Sequence, residues 1–170
     1  MAEWEAAEIA LELQRIYGGR ILNIIGAGLE EPPAKEPSPQ ELALISKLAS
    51  ESDIILTSAS HWHAQHSLIV RGRHDPQKFP PVGSDVTGLM CGAFLAPNGE
   101  PIPKKDTHYR VRGLGYDGFL RAAKRRVVVL VAGGKNRRAV ILAALKGKLI
   151  SVLITTKETA EWLLEENRNA

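Results

Sequence analysis

Residues 126–147 read R-V-V-V-L-V-A-G-G-K-N-R-R-A-V-I-L-A-A-L-K-G, and this stretch decides the fold. Arg126 to Ala132 is an aliphatic run of strand length, typical of a strand buried on both faces. Gly133 and Gly134 end it. The apolar period from about Asn136 to Leu145 then predicts a helix, which Gly147 closes. Strand, glycine turn and helix in this order favour an α/β protein with a parallel sheet.

The flanking segments extend the same alternation. Asp53–Thr57 and Leu149–Thr155 are predicted as buried strands, and segments 30–39 and 61–84 as irregular chain. Helices are predicted over Glu3–Tyr17, from the capping box at Ser38, over Tyr116–Lys124 and over Lys157–Glu166. Further strands are predicted over Arg20–Ile25, Val86–Leu95 and Tyr109–Leu114. A hairpin turn is predicted at Pro97–Gly99. Continuous aliphatic strands between helices predict a mainly parallel sheet covered on both faces.

The composition excludes several classes of protein. A chain of 170 residues with 44% hydrophobic and 24% charged residues fits one domain with a real core, which excludes global disorder. The single cysteine, Cys91, excludes a disulfide scaffold or a cysteine-rich zinc module. No apolar run approaches the roughly 20 residues of a membrane span, and the acidic N-terminus is unlike a signal peptide. The sequence therefore predicts a cytoplasmic protein without a membrane partner.

The positive charge is confined to one part of the chain. The net charge is only +3, but residues 104–148 hold thirteen basic and two acidic side chains, whereas residues 1–59 hold four basic and ten acidic ones. Such a block is either a solvated basic face or the contact surface of an anionic partner.

The turn after the 126–132 strand is the main candidate site. Ligands of open α/β sheets bind beyond the carboxyl ends of the strands, where a helix N-terminus presents free N–H groups and a positive dipole. Gly133 and Gly134 let an anion approach the backbone, and Lys135, Arg137 or Arg138 can add charge-assisted hydrogen bonds. A tight turn that needs glycine explains the same residues equally well, and no dinucleotide or P-loop fingerprint is present.

Three other side chains are candidates for the same ligand site. Ser58 and Ser60 follow a strand end, where they can donate to a ligand or cap a turn. Asp85 is the one carboxylate that could serve as a base near the site, but it forms no obvious pair with a histidine, which weakens an enzyme interpretation.

The sequence indicates no metal and no cofactor. His61, His63 and His66 are close together, yet no Cys, Asp or Glu lies between them to complete a zinc site, so a polar loop is favoured. The basic block lacks interleaved aromatic residues, and no helix-turn-helix or RNA-binding signature is present.

At Gly133 the chain resembles the effector-binding domain of the SorC/DeoR class of bacterial sugar-responsive transcription regulators. That class carries a strand, A-G-G-x-x-K-A, a helix ending A-L-x-G, a strand L-I-T-D and a T-A-x-x-L-L helix. The matching segments are Ala132–Gly134 with Arg137 at the lysine position, Ala143–Gly147, Val152–Thr155, Thr159–Leu164 and, upstream, Gly92–Pro101, Val111–Leu114 and Ser52–Leu56.

The resemblance implies a three-layer α/β/α sandwich around a mainly parallel sheet, the CoA-transferase-like fold of ribose-5-phosphate isomerase and glucosamine-6-phosphate deaminase. It also implies a phosphorylated sugar as effector, a homo-oligomer (dimer or tetramer), and control of a DNA-binding domain.

The chain departs from the family pattern at several points. The family's first strand and its G-x-T phosphate loop would precede Glu3, so residues 1–170 are expected to be a single, N-terminally truncated sugar-binding domain. Without a helix-turn-helix, no direct DNA contact is expected from this chain. Leu89 and Thr156 stand where the family has aspartates, and Arg137 replaces its lysine.

The leading hypothesis is therefore a sugar-phosphate effector domain of a SorC-type regulator, not an enzyme. A phosphosugar isomerase or deaminase relative, and a non-binding oligomerisation partner of full-length regulators, are the alternatives.

Overall fold

The computed structural model describes residues 6–19, 38, 40, 43–44, 47–48, 51–61, 86–90, 93–102 and 115–168. The predicted strands over 20–25 and 109–114 lie outside these residues. In chain order the elements are α1 (Ala6–Tyr17), β1 (Ile54–Thr57), β2 (Ala59–His61), β3 (Gly88–Met90), β4 (Ala93–Leu95), α2 (Gly115–Ala123), β5 (Val127–Val131), a 3₁₀ turn (Lys135–Arg137), α3 (Arg138–Lys146), β6 (Val152–Ile154) and α4 (Lys157–Arg168). Positions 40, 43, 44, 47, 48 and 51 are helical, as the capping box predicts.

The strand predicted over Arg126–Ala132 is β5, and it is paired on both edges in a parallel sheet of order β1-β5-β6. Thr57 lies opposite Leu130, and Val131 lies opposite Ile154. At the other end of the sheet the Ser151 hydroxyl accepts a hydrogen bond from the Val128 N–H at 2.7 Å. The α/β class with a parallel sheet is therefore confirmed.

A second, antiparallel sheet has the order β2-β3-β4. The prediction of one strand over Val86–Leu95 is therefore wrong, because its two halves, β3 and β4, pair with each other, and β2 was not predicted. The predicted hairpin turn is present: the Gly99 N–H donates to the Ala96 carbonyl at 2.9 Å, and Leu95 bridges to Pro101. The second arm of this hairpin is a single bridge rather than a strand within the described residues.

Helix α3 packs against all three antiparallel strands. Its Val140, Ile141, Ala143 and Ala144 are fully buried. Small residues allow this close approach. A Cβ on Gly88 would lie 2.6 Å from the Ser60 carbonyl oxygen and 2.7 Å from Val140 Cβ, too close for any other residue.

The hairpin turn interlocks with the end of α3. Gly99 has φ +84°, and a Cβ there would collide with the Ala143 carbonyl and the Gly147 main chain. Conversely, a Cβ on Gly147 would lie 2.6 Å from the Gly99 carbonyl oxygen. Two glycines 48 positions apart therefore hold the hairpin to the helix.

One face of the parallel sheet forms the core. Val128 and Leu130 are completely buried and cluster with Phe119 of α2 and Leu163 of α4. Each such side chain stabilises the fold by about 1.5–3 kcal/mol.

The opposite face of the parallel sheet is largely exposed. The sequence predicts helices over both faces of the sheet, but the described residues cover only one of them. Six side chains of the exposed face are between 41% and 65% exposed: Ile54, Leu56, Val127, Val131, Val152 and Ile154. We call these six residues the open sheet face. Helix α1 also exposes apolar side chains, among them Ile9, Leu13 and Ile16. Within the described chain, no helix combines the length and hydropathy needed to cross a bilayer.

Gly99→Ala is expected to destabilise the protein strongly. The positive φ costs about 1–3 kcal/mol for a residue with a Cβ. Overlap with Ala143 and Gly147 adds a similar amount, about 1–3 kcal/mol. The control is Gly18→Ala, because Gly18 has φ +73° but nothing within 4 Å of an added Cβ. Urea unfolding followed by circular dichroism measures both, and equal losses would contradict the interlock.

Candidate functional site

The candidate turn lies where the three parallel strands end. The Ala132 N–H donates to the Ile154 carbonyl at 3.1 Å, so β5 and β6 stay paired to their carboxyl ends. Gly133 follows on one strand and Thr155 on the other, while Thr57 closes β1 on the opposite edge of β5. This is the edge of an open α/β sheet at which ligands bind.

The two glycines of the turn have different roles. Gly134 has φ +93° and ψ 155°, a conformation that side chains other than glycine rarely adopt. Gly133 is confined instead by a neighbour, since a Cβ there would lie 2.9 Å from Thr156 Cγ2. The tight-turn explanation therefore accounts for both glycines. The open space beside Gly134 leaves room for a ligand to reach the backbone.

The helix that follows begins two residues later than predicted. A 3₁₀ turn over Lys135–Arg137 comes first, and the Arg137 N–H donates to the Gly134 carbonyl at 3.0 Å. The N–H groups of Lys135 and Asn136 precede this hydrogen bond. They are therefore the first-turn donors that a helical segment leaves for a cap, water or ligand.

The structure separates the three basic side chains of the turn. Lys135 and Arg137 are exposed. Arg138 is held against α4: its Nη2 donates to the Glu158 carbonyl at 2.9 Å, and its guanidinium lies 5.5 Å from the centre of the Trp162 ring. Its Nε is buried and has no hydrogen-bond partner in the described part of the chain. Lys135 and Arg137 thus remain as the cations facing solvent at the turn.

The serine candidates lie near this turn. Ser58 is exposed directly after β1, and half-buried Ser60 belongs to β2, which packs against the 3₁₀ turn. Asp85, the remaining candidate, lies outside the described residues, as do His63 and His66.

Three threonines that the sequence distinguishes only through the family resemblance surround the turn. Thr155 Oγ1 is buried without a described partner, 3.4 Å from where a Gly133 Cβ would be. Thr159 is completely buried, and its hydroxyl oxygen accepts a hydrogen bond from the Gly134 N–H at 3.1 Å. Thr156 caps α4, accepting the Ala160 N–H at its carbonyl at 3.0 Å. The T-x-x-T spacing at the helix start was the available signal.

The electrostatics of the α4 N-terminus favour a negative charge. A hydrogen bond from the Glu158 main-chain N–H, a second from the Thr156 side chain and the nearby Arg138 charge lower the pKa of the Glu158 carboxyl below its ordinary value of 4.5. The carboxylate sits in the first turn of the helix, where the dipole also stabilises it.

Residues 39–165 match the model of the Sugar-bind family, described as "Putative sugar-binding domain". The chain is similar to the transcriptional regulator LsrR of Enterobacter sp. (strain 638), with 26% identity over 144 residues. That match covers 78% of this chain and 44% of the regulator, so the chain spans less than half the length of this relative.

Solved structures share the fold. A transcriptional regulator from Streptococcus pneumoniae TIGR4 superposes with a TM-score of 0.73 at 16% identity, covering 98% of this chain and 65% of that one. The full-length sorbitol operon regulator SorC from Klebsiella pneumoniae gives a TM-score of 0.58 at 23% identity, covering 74% of this chain and 40% of its own. At such identities the likeness establishes the fold alone.

Glu158→Gln is expected to destabilise the protein more at neutral pH than in acid. Because the folded-state pKa is lowered, the stabilisation is present above pH 4.5 and is lost as the pH falls through the folded-state pKa. Urea unfolding of both proteins at pH 7 and pH 3 measures this. Glu165→Gln, near the other end of α4, is the control and should show no such loss. A Glu158→Gln deficit of equal size at both pH values would contradict the assignment.

Proposed function

Because the chain belongs to the Sugar-bind family of sugar-binding domains, we propose that it binds a phosphorylated sugar at the turn after β5. The observation that carries this proposal is the meeting of three parallel strand ends at a turn with open space beside Gly134 and two exposed cations, Lys135 and Arg137. This proposal names the ligand class and the site, which family membership alone leaves open.

The phosphate is assigned to the 3₁₀ turn. The first-turn N–H groups of Lys135 and Asn136 can donate to phosphate oxygens, and the positive end of α3 adds to their attraction. Arg137, the arginine in the family's lysine position, supplies a planar fork of donors that matches phosphate geometry. Gly133 and Gly134 let the anion approach the main chain closely.

The sugar is assigned to the side of the turn where β1 leads into β2. Ser58 precedes β2 and Ser60 lies within it, and β2 packs against the turn, so these two hydroxyls are assigned to hydrogen bonds with the sugar. We retain Asp85 as a proposed partner for a sugar hydroxyl.

The proposed role is that of an effector domain in the cytoplasm. The relatives named above are transcriptional regulators. In this role the domain would pass ligand occupancy to a DNA-binding domain without contacting DNA itself, and it would not be an enzyme. The enzymatic alternative needs a carboxylate base at the turn, and no observation on the described residues favours it.

We also propose that the chain forms a homo-oligomer through the open sheet face. Parallel sheets are otherwise found with both faces covered. Contiguous exposed apolar patches commonly mark protein contacts. A second copy of the chain would bury the six aliphatic side chains.

Arg137→Ala is expected to weaken sugar-phosphate binding by about 10- to 100-fold, because a hydrogen bond to a charged group contributes about 1.5–3 kcal/mol. Isothermal calorimetry with ribose 5-phosphate, glucose 6-phosphate, fructose 6-phosphate and the unphosphorylated sugars measures it. Lys124→Ala, which changes another exposed cation, before β5, is the control and should bind as the wild type does.

Two calorimetric results would contradict the proposed function. One is the absence of binding heat for every sugar phosphate with the wild-type protein. The other is equal binding of phosphorylated and unphosphorylated sugars, since the turn is proposed to recognise the phosphate.

Light scattering during size-exclusion chromatography is expected to give a dimer or tetramer. Leu56→Glu combined with Ile154→Glu places two charges on the open sheet face and is expected to yield monomer. The control is Leu164→Glu, which changes an exposed leucine of α4 and should leave the oligomer intact. A wild-type monomer at every concentration would refute this proposal.

A further inference from the structure

Thr159 is a polar residue in the core, and its burial needs an explanation. It is 0% exposed, whereas most of α4 faces solvent. Buried hydroxyls are kept when they satisfy other buried polar groups. The groups around Thr159 belong to the candidate turn and to the first residues of α4.

The Thr159 hydroxyl joins these two elements. Its oxygen accepts the Gly134 N–H at 3.1 Å and is hydrogen-bonded to the Thr156 hydroxyl, also at 3.1 Å. The Thr159 N–H in turn donates to the Thr156 carbonyl at 3.1 Å. Gly134 and Thr159 are 25 positions apart in the sequence. A single side chain therefore connects the end of β5 to the capped start of α4.

Gly134 is consequently held at both of its main-chain groups. Its N–H is bonded to Thr159, and its carbonyl accepts the Arg137 N–H at 3.0 Å. Glycine at φ +93° has many other conformations open to it. These two hydrogen bonds select the one that starts the 3₁₀ turn and leaves the N–H groups of Lys135 and Asn136 as its first-turn donors.

We infer that Thr159 is a positioning residue of the effector site: its hydroxyl holds the Gly133–Gly134 turn in the conformation that receives the phosphate, and it couples that turn to α4. This inference rests on the proposed function for its ligand but not for its geometry. Arg138 strengthens the coupling, since it binds the Glu158 carbonyl and packs on Trp162 of the same helix.

Variants of Thr159 separate positioning from simple packing. Thr159→Val keeps the shape of the side chain and removes the acceptor, whereas Thr159→Ser keeps the hydroxyl and removes a methyl group. Thr87→Val is the matched control, because the Thr87 hydroxyl is also buried but has no described hydrogen-bond partner.

The first measurement needs no ligand. Amide hydrogen exchange followed by NMR reports the protection of the Gly134 N–H in the wild type and in each variant, compared with core amides such as Val128 and Leu130. We expect Thr159→Val to exchange at Gly134 at least about tenfold faster than the wild type while the core amides change less, as loss of one hydrogen bond predicts. Thr159→Ser and Thr87→Val should retain the wild-type protection at Gly134.

The second measurement is calorimetry with inorganic phosphate, ribose 5-phosphate, glucose 6-phosphate and fructose 6-phosphate. Thr159→Val is expected to weaken binding of the best of these about tenfold or more, and Thr159→Ser to restore most of it. Wild-type Gly134 protection in Thr159→Val would overturn the inference, and so would unchanged affinity in that variant. If no probe binds the wild type, the proposed function fails, and the exchange data alone decide whether Thr159 holds the turn.

Discussion

The parallel pairing of β5 on both of its edges is the constraint on which the rest of the structure depends. Parallel strands need long crossover connections, so α2 and α3 lie in the chain directly before and after β5. Parallel strands also end at a common edge, which brings Thr57, Gly133 and Thr155 together although they are far apart in the sequence. Burial of Val128 and Leu130 stabilises the strand that places them there.

Packing between remote segments explains why particular residues occur in motifs that the sequence alone connects only with the family. The hairpin glycine Gly99 and the helix-ending Gly147 belong to two separate motifs, yet each occupies the space that a Cβ on the other would need. Thr159 similarly belongs to a helix motif and acts on the Gly134 turn. Glycine is required where the two main chains approach too closely for a Cβ. Threonine is required where a buried N–H group, without access to water, needs a hydrogen-bond acceptor.

Local sequence patterns predicted which segments are helices and which are strands. They did not predict where the basic side chains lie or what they contact. The aliphatic run before Gly133 predicted β5, and the capping and apolar periods predicted the helices to within a few residues. The described part of the basic block, however, is not one surface. Its described members lie partly before β5, at Lys124 and Arg125, and partly after it, at Lys135 and Arg137. A five-residue strand separates these groups by about 16 Å. Adjacent Arg137 and Arg138 also differ, because Arg138 donates a hydrogen bond to α4 whereas Arg137 is exposed.

By itself, the sequence determined the α/β class, the order of helices and strands from α2 to α4, and a glycine turn followed by cations. Each of these depends on residues within a few positions of one another. The tertiary structure alone decided which strands share an edge, that the described residues cover only one face of the parallel sheet, and that Thr159 holds Gly134 from 25 positions away. These features depend on distances between remote segments, which are set by packing and by the need to satisfy buried polar groups rather than by local propensity.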